Sequence, residues 1–392
     1  MARILIGAYA VRLPLGGYVS WNLQWLLGFA RLGHEVYLVE KSGWPSSCYD
    51  PSTRTHGDDC AHGLAVVHQA LDRFGLGSHW CYVDAGGRYH GRSRKHIEDV
   101  FASADLFIDL TSHGTFVPGI GIEGTWLGEA ARTAVTVLVD GEPGWTQMRM
   151  QKALEAGDPV PEFHHYYTVG QNVGTAGCTA PAAGRAWRHV FDPVVLDLFT
   201  PGSSPAGAPF TTVMSWQAHA ATTFNGITYG QKDVEFSRFL SLPGRVTVPL
   251  EVAVGGPDVP TATLSASGWR LRDAQEVTAS FDQWRDYIRS SRGEFSVCKN
   301  IFVATHSGFF SDRSAVYLAS GRPVVLQDTG FSAHLPCGEG LFAVKTIDEA
   351  RDAIQQIEAD YDRHARRALA IAERFLDARI VLAGLLRDVG LG

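Results

Sequence analysis

The feature that most constrains this chain is an alternation of element types that begins at its first residues. Arg3–Gly7 is a short β-rich run, and a loop with Pro14, Gly16 and Gly17 follows it. Then Trp21, Leu23, Trp25, Leu26, Leu27, Phe29, Ala30 and Leu32 recur with near-helical spacing, which predicts a helix ended by Gly33. Residues 35–39 read as the next strand. Strands linked this closely through a helix pair in parallel with a right-handed crossover. The unit repeats, with helices over 61–74, 94–103 and 124–132 and strands over 80–83, 105–111 and 134–140. Such alternation predicts a doubly wound α/β domain, whose ligands sit beyond the carboxyl ends of its strands.

A Pro/Gly/Ser/Ala stretch at 200–209 reads as a linker. Beyond it the pattern resumes, with strands over 210–216, 246–254, 300–305 and 323–327 and helices over 233–242, 281–290 and 312–320. Residues 346–388 read as mostly helical, with Tyr361, Ala365, Ala368, Ala372 and Phe375 on an apolar face. The expected division is an N-terminal domain over 1–199, a linker over 200–209, a C-terminal domain over 210–375 and a returning tail over 376–392. Two α/β domains joined in this way leave a cleft, a favoured place for a small ligand.

Composition narrows the functional classes. With 34 Lys+Arg against 41 Asp+Glu, the net charge of −7 argues against a nucleic-acid partner. No apolar run approaches the ~18 residues of a membrane span, so no integral membrane segment is expected. The N-terminus superficially resembles a signal peptide, but Arg12 interrupts it and the segment is expected to be structural. The six cysteines form no C-x-x-C pair, which fits a reduced, cytoplasmic protein without a zinc knuckle.

The most informative segment runs from His306 to Val325. It orders a Gly/Ser loop, a helix, a Gly stop and a buried strand. Ser311 or Asp312 suits the N-cap, and the free amides there, with Ser311, Ser314 and Arg313, suit a phosphate or diphosphate. An ordinary capped helix with surface charges is the competing reading. Lys232 and Lys299 are further candidate cations, although most lysines simply face solvent. Among acidic and basic groups that follow strands, His113, Asp140 and Glu142 are the candidates for a catalytic base. His113 is preferred because its ordinary pKa suits neutral pH. The first loop offers only Tyr9, Arg12, Tyr18 and Ser20. Tyr18, Trp21 and Trp145 could line an acceptor, with core packing as the alternative for each tryptophan.

Gly321-Arg322-Pro323-Val324-Val325 and the Asp328-Thr329-Gly330 turn resemble the donor-binding half of GT-B glycosyltransferases, in particular the retaining group related to glycogen and sucrose synthases. Gly16-Gly17, the helix after it and Gly33-His34-Glu35-Val36 are similar to that group's N-terminal signature, and Ser112-His113-Gly114 resembles its sugar-contacting histidine loop. The resemblance implies two Rossmann-like domains facing a cleft, with C-terminal helices crossing back. It implies transfer of a sugar from a nucleoside-diphosphate sugar to a small-molecule acceptor. Gly17 would let backbone approach the diphosphate, Arg313 and Lys232 would neutralise it, and Asp328 and Thr329 would contact the donor sugar. The donor is a co-substrate; no other cofactor and no metal are implied, and a homodimer is left open.

The chain departs from the group at one point. Laying Gly321 on the group's conserved glycine puts Gly308 and Val316 where its two donor-site glutamates stand, leaving ribose recognition to Asp312 or Glu294. Two alternatives therefore stay open: a nucleotide-sugar 2-epimerase on the same fold, and a non-catalytic sugar-nucleotide binding protein.

Other patterns carry less. Gly119-x-Gly121-x-x-Gly124 lies too far from its strand for a dinucleotide fingerprint, and Asp360-Tyr361-Asp362 falls in the helical tail. His164 and His165 point oppositely on a strand, and His56, His62 and His68 share no helix face, so no metal site is expected.

Overall fold

The structure, a computed structural model, describes residues 1–110, 124–202 and 207–392. The run Ile4-Leu5-Ile6 is buried on both faces, as parallel strands covered by helices are. It lies in Arg3–Gly7, which pairs in parallel with Glu35–Lys41 on one side and Leu106–Asp109 on the other. The first sheet has eight strands in the order Trp187–His189, His165–Thr168, Val135–Asp140, Leu106–Asp109, Arg3–Gly7, Glu35–Lys41, Trp80–Val83 and Tyr89–Gly91. Only the last pairs antiparallel to its neighbour.

The second sheet is wholly parallel, in the order Arg270–Asp273, Leu250–Gly255, Phe210–Ser215, Gly293–Ser296, Val324–Gln327 and Leu341–Val344. In each sheet the strand order reverses beside the first strand, at Gly7 and Asp109 in one and at Ser215 and Ser296 in the other. In open α/β sheets ligands bind beyond the carboxyl ends of the strands at such switch points.

Helix Gly16–Arg31 joins the halves. Its apolar face, with Leu23, Trp25, Leu26 and Phe29, belongs to a core that continues into Trp284, Ile301 and Ala315 of the second half. Gly28 lets the tail helix Ala378–Asp388 approach, since a Cβ there would lie 2.4 Å from Leu382 Cδ1. The tail reaches that position through Ile347–Ala359, capped by Thr346 and Glu349, then Tyr361–Ile371 and a π turn at Ala372–Leu376. Val194 N–H donates to Leu376 O at 2.7 Å and Ala378 N–H to Val194 O at 2.8 Å, tying the crossover to the first half.

Several elements differ from the sequence expectation. Residues 300–305 do not form a strand: Asn300–Ala304 is a short helix, and the strand is Gly293–Ser296. Ile301-Phe302-Val303 is a brief apolar run, and such runs do not separate a strand from a buried helix. The strand expected from 246 starts at Leu250, and the helix expected over 124–132 is confined to Leu127–Ala130. Residues 111–123, with Ser112, His113 and Gly119, lie outside the described residues.

Candidate functional site

A cavity of about 330 Å³ opens between the two sheets, lined from both sides by residues near the switch points. The first half contributes Tyr9, Leu15, Gly17, Tyr18, Trp21, Leu110, Glu142 and Asp192. The second contributes Val213–Ser215, Lys232, Thr278, Trp284, Cys298, Lys299, Phe302 and Ser311–Arg313.

The first loop is shaped by a buried carboxylate. Glu40 accepts from the backbone N–H groups of Ala10, Val11 and Arg12 at 2.9, 2.7 and 3.0 Å, and from Arg12 Nε at 3.1 Å. Arg12 donates onward to Ser42 O at 2.9 Å, and its guanidinium lies 4.1 Å from the Tyr9 ring centre. This network positions Tyr9 and the approach to Gly17. Gly16 is the hinge of close packing rather than a ligand contact: a Cβ there would meet Ser280 O at 2.3 Å.

The opposite wall is cationic. Arg313, near the start of helix Asp312–Ala319, donates from Nε to Glu294 Oε1 at 2.5 Å, from Nη1 to Val213 O at 2.9 Å and from Nη2 to Ser296 Oγ at 2.7 Å. Burial opposes its charge, but Glu294 outweighs burial and raises its pKa. Lys299 forms an ion pair with Glu142 across the cleft, and His219 Nε2 stands 3.8 Å from the other oxygen of that carboxylate. Lys232 has no hydrogen-bond or ion-pair partner among the described residues. Burial lowers its pKa to about 7, helped by Arg313 and then Lys299. A lysine held between two other cations creates a field that an anion relieves.

Acidic groups face this wall. Asp192 accepts from Trp21 Nε1 at 2.8 Å, and its pKa is pushed up by burial and then by Asp312 across the cavity. Glu142, Asp192 and Asp312 are thus the carboxylates at the cavity wall.

The structure therefore brings together Gly17, Tyr18, Trp21, Glu142, Lys232, Lys299, Ser311, Asp312 and Arg313. It places other sequence candidates elsewhere. Asp140 is wholly buried, accepting from Glu142 N–H, Gln147 Nε2 and Thr168 Oγ1 at 2.8, 2.7 and 2.8 Å; it holds the turn that presents Glu142. Glu294 is wholly buried beneath Arg313 and reaches no ligand of its own.

Asp328 binds Gly330 N–H at 2.8 Å and Ser332 Oγ at 2.9 Å, and Thr329 Oγ1 donates to Phe309 O at 2.6 Å, so both serve their own turn. Gly330 fits closely beside Asn172, and Ser314 is buried inside its helix. Trp145 packs against His219, with ring centres 5.3 Å apart, and under Arg149, outside the cavity lining. His113 lies outside the described residues.

Gly308 has φ +75°, and a Cβ there would lie 2.7 Å from Asn172 N, so this close approach between the halves has no room for a glutamate. Val316 is buried in the core.

Sequence reasoning missed Asp192, Trp284, Thr278 and the organising Glu40. Trp284 stood in a recognised helix without a feature to distinguish it from core. Asp192 lies in a Phe-Asp-Pro segment with no motif around it.

Two doubly wound sheets facing a ligand-sized cleft, with a C-terminal helix returning to the first half, make this a GT-B fold. Solved structures of that fold match along nearly the whole chain. An alpha-glucosyltransferase in complex with UDP and DNA containing an HMU base has a TM-score of 0.56 at 10% identity, covering 98% of each chain. Anabaena HepE in complex with UDP-glucose has a TM-score of 0.57 at 11% identity, covering 99% of each. A glycosyltransferase from Rickettsia africae has a TM-score of 0.53 at 9% identity, covering 99% of this chain and 97% of that one. No protein-family model matches the sequence, and no curated protein matches it.

The first of these structures overturns the exclusion of a nucleic-acid partner, because a protein of this fold is seen on DNA. Net charge sums the whole surface, whereas a binding face is local, so −7 does not decide the matter. Among the described residues no helix is long and apolar enough to cross a membrane.

Proposed function

We propose that this chain is a glycosyltransferase that binds a nucleoside-diphosphate sugar in the interdomain cavity. The observation that carries the reading is the convergence of Lys232, Lys299 and Arg313 at the carboxyl ends of the second sheet, facing the first loop. Glycosyl transfer builds positive charge on the sugar and negative charge on the departing diphosphate. Fixed cations aimed at the leaving group stabilise that separation. Lys232 supplies charge when the diphosphate arrives, and Lys299 can exchange Glu142 for a phosphate oxygen. Glu142, released from its pair, and Asp192, whose raised pKa suits proton exchange near neutrality, are the acceptors for the hydroxyl proton. Tyr18 and Trp21 form the wall on the acceptor side.

Structural neighbours solved with UDP or UDP-glucose make a uridine diphosphate sugar the first donor to test. The acceptor panel includes small hydroxylated molecules, oligosaccharides and hydroxymethylated DNA. Thermal unfolding with each nucleotide sugar is the primary experiment, with ~2.7 kcal/mol of stabilisation expected at ~100 times the dissociation constant. UDP release is then measured with and without acceptor. Failure of every nucleotide and nucleotide sugar to stabilise the protein would refute the reading. Binding without release across the panel would leave a binding protein rather than an enzyme.

A further inference from the structure

At the outer end of the first sheet, remote in sequence from the cations of the cleft, the fold assembles a second group of chemistry-bearing side chains. Cys60 precedes helix Ala61–Asp72, Asp84 follows strand Trp80–Val83, and His90 lies on the edge strand Tyr89–Gly91. One ligand atom from each lies within 4.8 Å of the others. None of the three lines the interdomain cavity.

The group is already partly ordered. Asp84 Oδ1 accepts from the backbone N–H groups of Gly86 and Arg88 at 2.9 and 3.0 Å, leaving Oδ2 to pair with His90 Nε2 at 2.8 Å. The Cys60 sulfur is buried and has no side-chain hydrogen-bond partner among the described residues. Thiolate, imidazole and carboxylate together suit a borderline-soft divalent ion, zinc above all, and exclude the all-oxygen preference of magnesium or calcium.

We propose that Cys60, Asp84 and His90 bind one zinc ion, with water in the fourth position. Binding forms a zinc–sulfur bond and releases the thiol proton to solvent; the imidazole binds as a neutral ring through an unprotonated nitrogen. The ion would pin Cys60, at the start of helix Ala61–Asp72, to the paired strands Trp80–Val83 and Tyr89–Gly91. Neither the donor nor the acceptor enters this argument, so it stands independently of the function proposed above.

Cobalt(II) is the probe, because a cobalt–thiolate bond gives a near-ultraviolet charge-transfer band. The full chain, stripped of metal, is titrated with cobalt and then competed with zinc. One equivalent with a thiolate band is expected, displaced by zinc, together with a zinc-dependent rise in melting temperature. Cys60→Ser should abolish the band, and His90→Ala and Asp84→Asn should each weaken binding at least about tenfold. Cys48→Ser, at a neighbouring cysteine outside the group, should keep the band. Native protein without a thiolate band, or a band that survives Cys60→Ser, overturns the proposal. The native titration decides the matter even if a variant fails to fold.

Discussion

Lys232 gives the sharpest test of the cleft, because its protonation state must change when an anion binds. With its pKa lowered to about 7, it is mostly neutral at pH 8 in the free protein, with about one chain in ten protonated. A diphosphate beside it restores the higher pKa, so binding at pH 8 should take up about 0.9 proton. Affinity should fall by up to about tenfold, or ~1.4 kcal/mol, per pH unit above 7, until the bound-state pKa is reached. A nucleotide sugar is the right ligand, since its diphosphate diester does not itself titrate in this range. Calorimetric titration in two buffers of different ionisation enthalpy reads the proton count directly. Lys232→Met should remove the uptake, whereas Lys299→Met should reduce it only in part, because burial is the largest cause of the lowered pKa and Lys299 a lesser one.

The sign for folding runs the same way. The folded pKa lies below the unfolded one, so the unfolded chain holds the extra proton between about pH 7 and pH 10. Lys232 therefore opposes folding most below pH 7, and that opposition fades as pH rises. Lys232→Met should melt no lower than the native chain at pH 6.5, which verifies that the variant is folded. Binding of a nucleotide sugar with no proton uptake at pH 8 would refute the assignment of Lys232 to the diphosphate.

Arg313→Met should cost about 3–5 kcal/mol in urea unfolding, because it strands the wholly buried Glu294. Adding Glu294→Gln should recover part of that loss; strictly additive effects would refute the coupling. Glu40→Gln should destabilise by a similar ~3–5 kcal/mol, since Arg12 keeps a buried charge without its counter-ion, and an unchanged denaturation midpoint would contradict this. Gly16→Ala should lower stability by about 1–3 kcal/mol through collision with Ser280 O, while Gly17→Ala, whose Cβ would lie 3.5 Å from Trp284 Nε1, should cost little. Equal melting temperatures for these two variants would show that the halves do not meet as described.

Much of the fold is written along the chain. The helix Gly16–Arg31 and the strands Arg3–Gly7, Trp80–Val83 and Phe210–Ser215 follow from local periodicity, because an apolar face must repeat at the period of its element. Ser311-Asp312-Arg313 was legible for the same local reason: a polar group before an apolar helix marks its N-terminus. What local pattern could not decide is which way the side chains at strand ends turn. Asp140 and Glu142 are two residues apart, yet one is sealed under Gln147 and Thr168 and the other faces Lys299. Asp192 meets Asp312 only because the two halves face each other across the cavity, and Cys60 meets Asp84 and His90 only because the edge of the first sheet gathers segments distant in sequence. Local periodicity is enough to specify the alternation, and with it two doubly wound sheets. Which charges share a low-dielectric space is settled by packing between segments that have no periodic relation to one another.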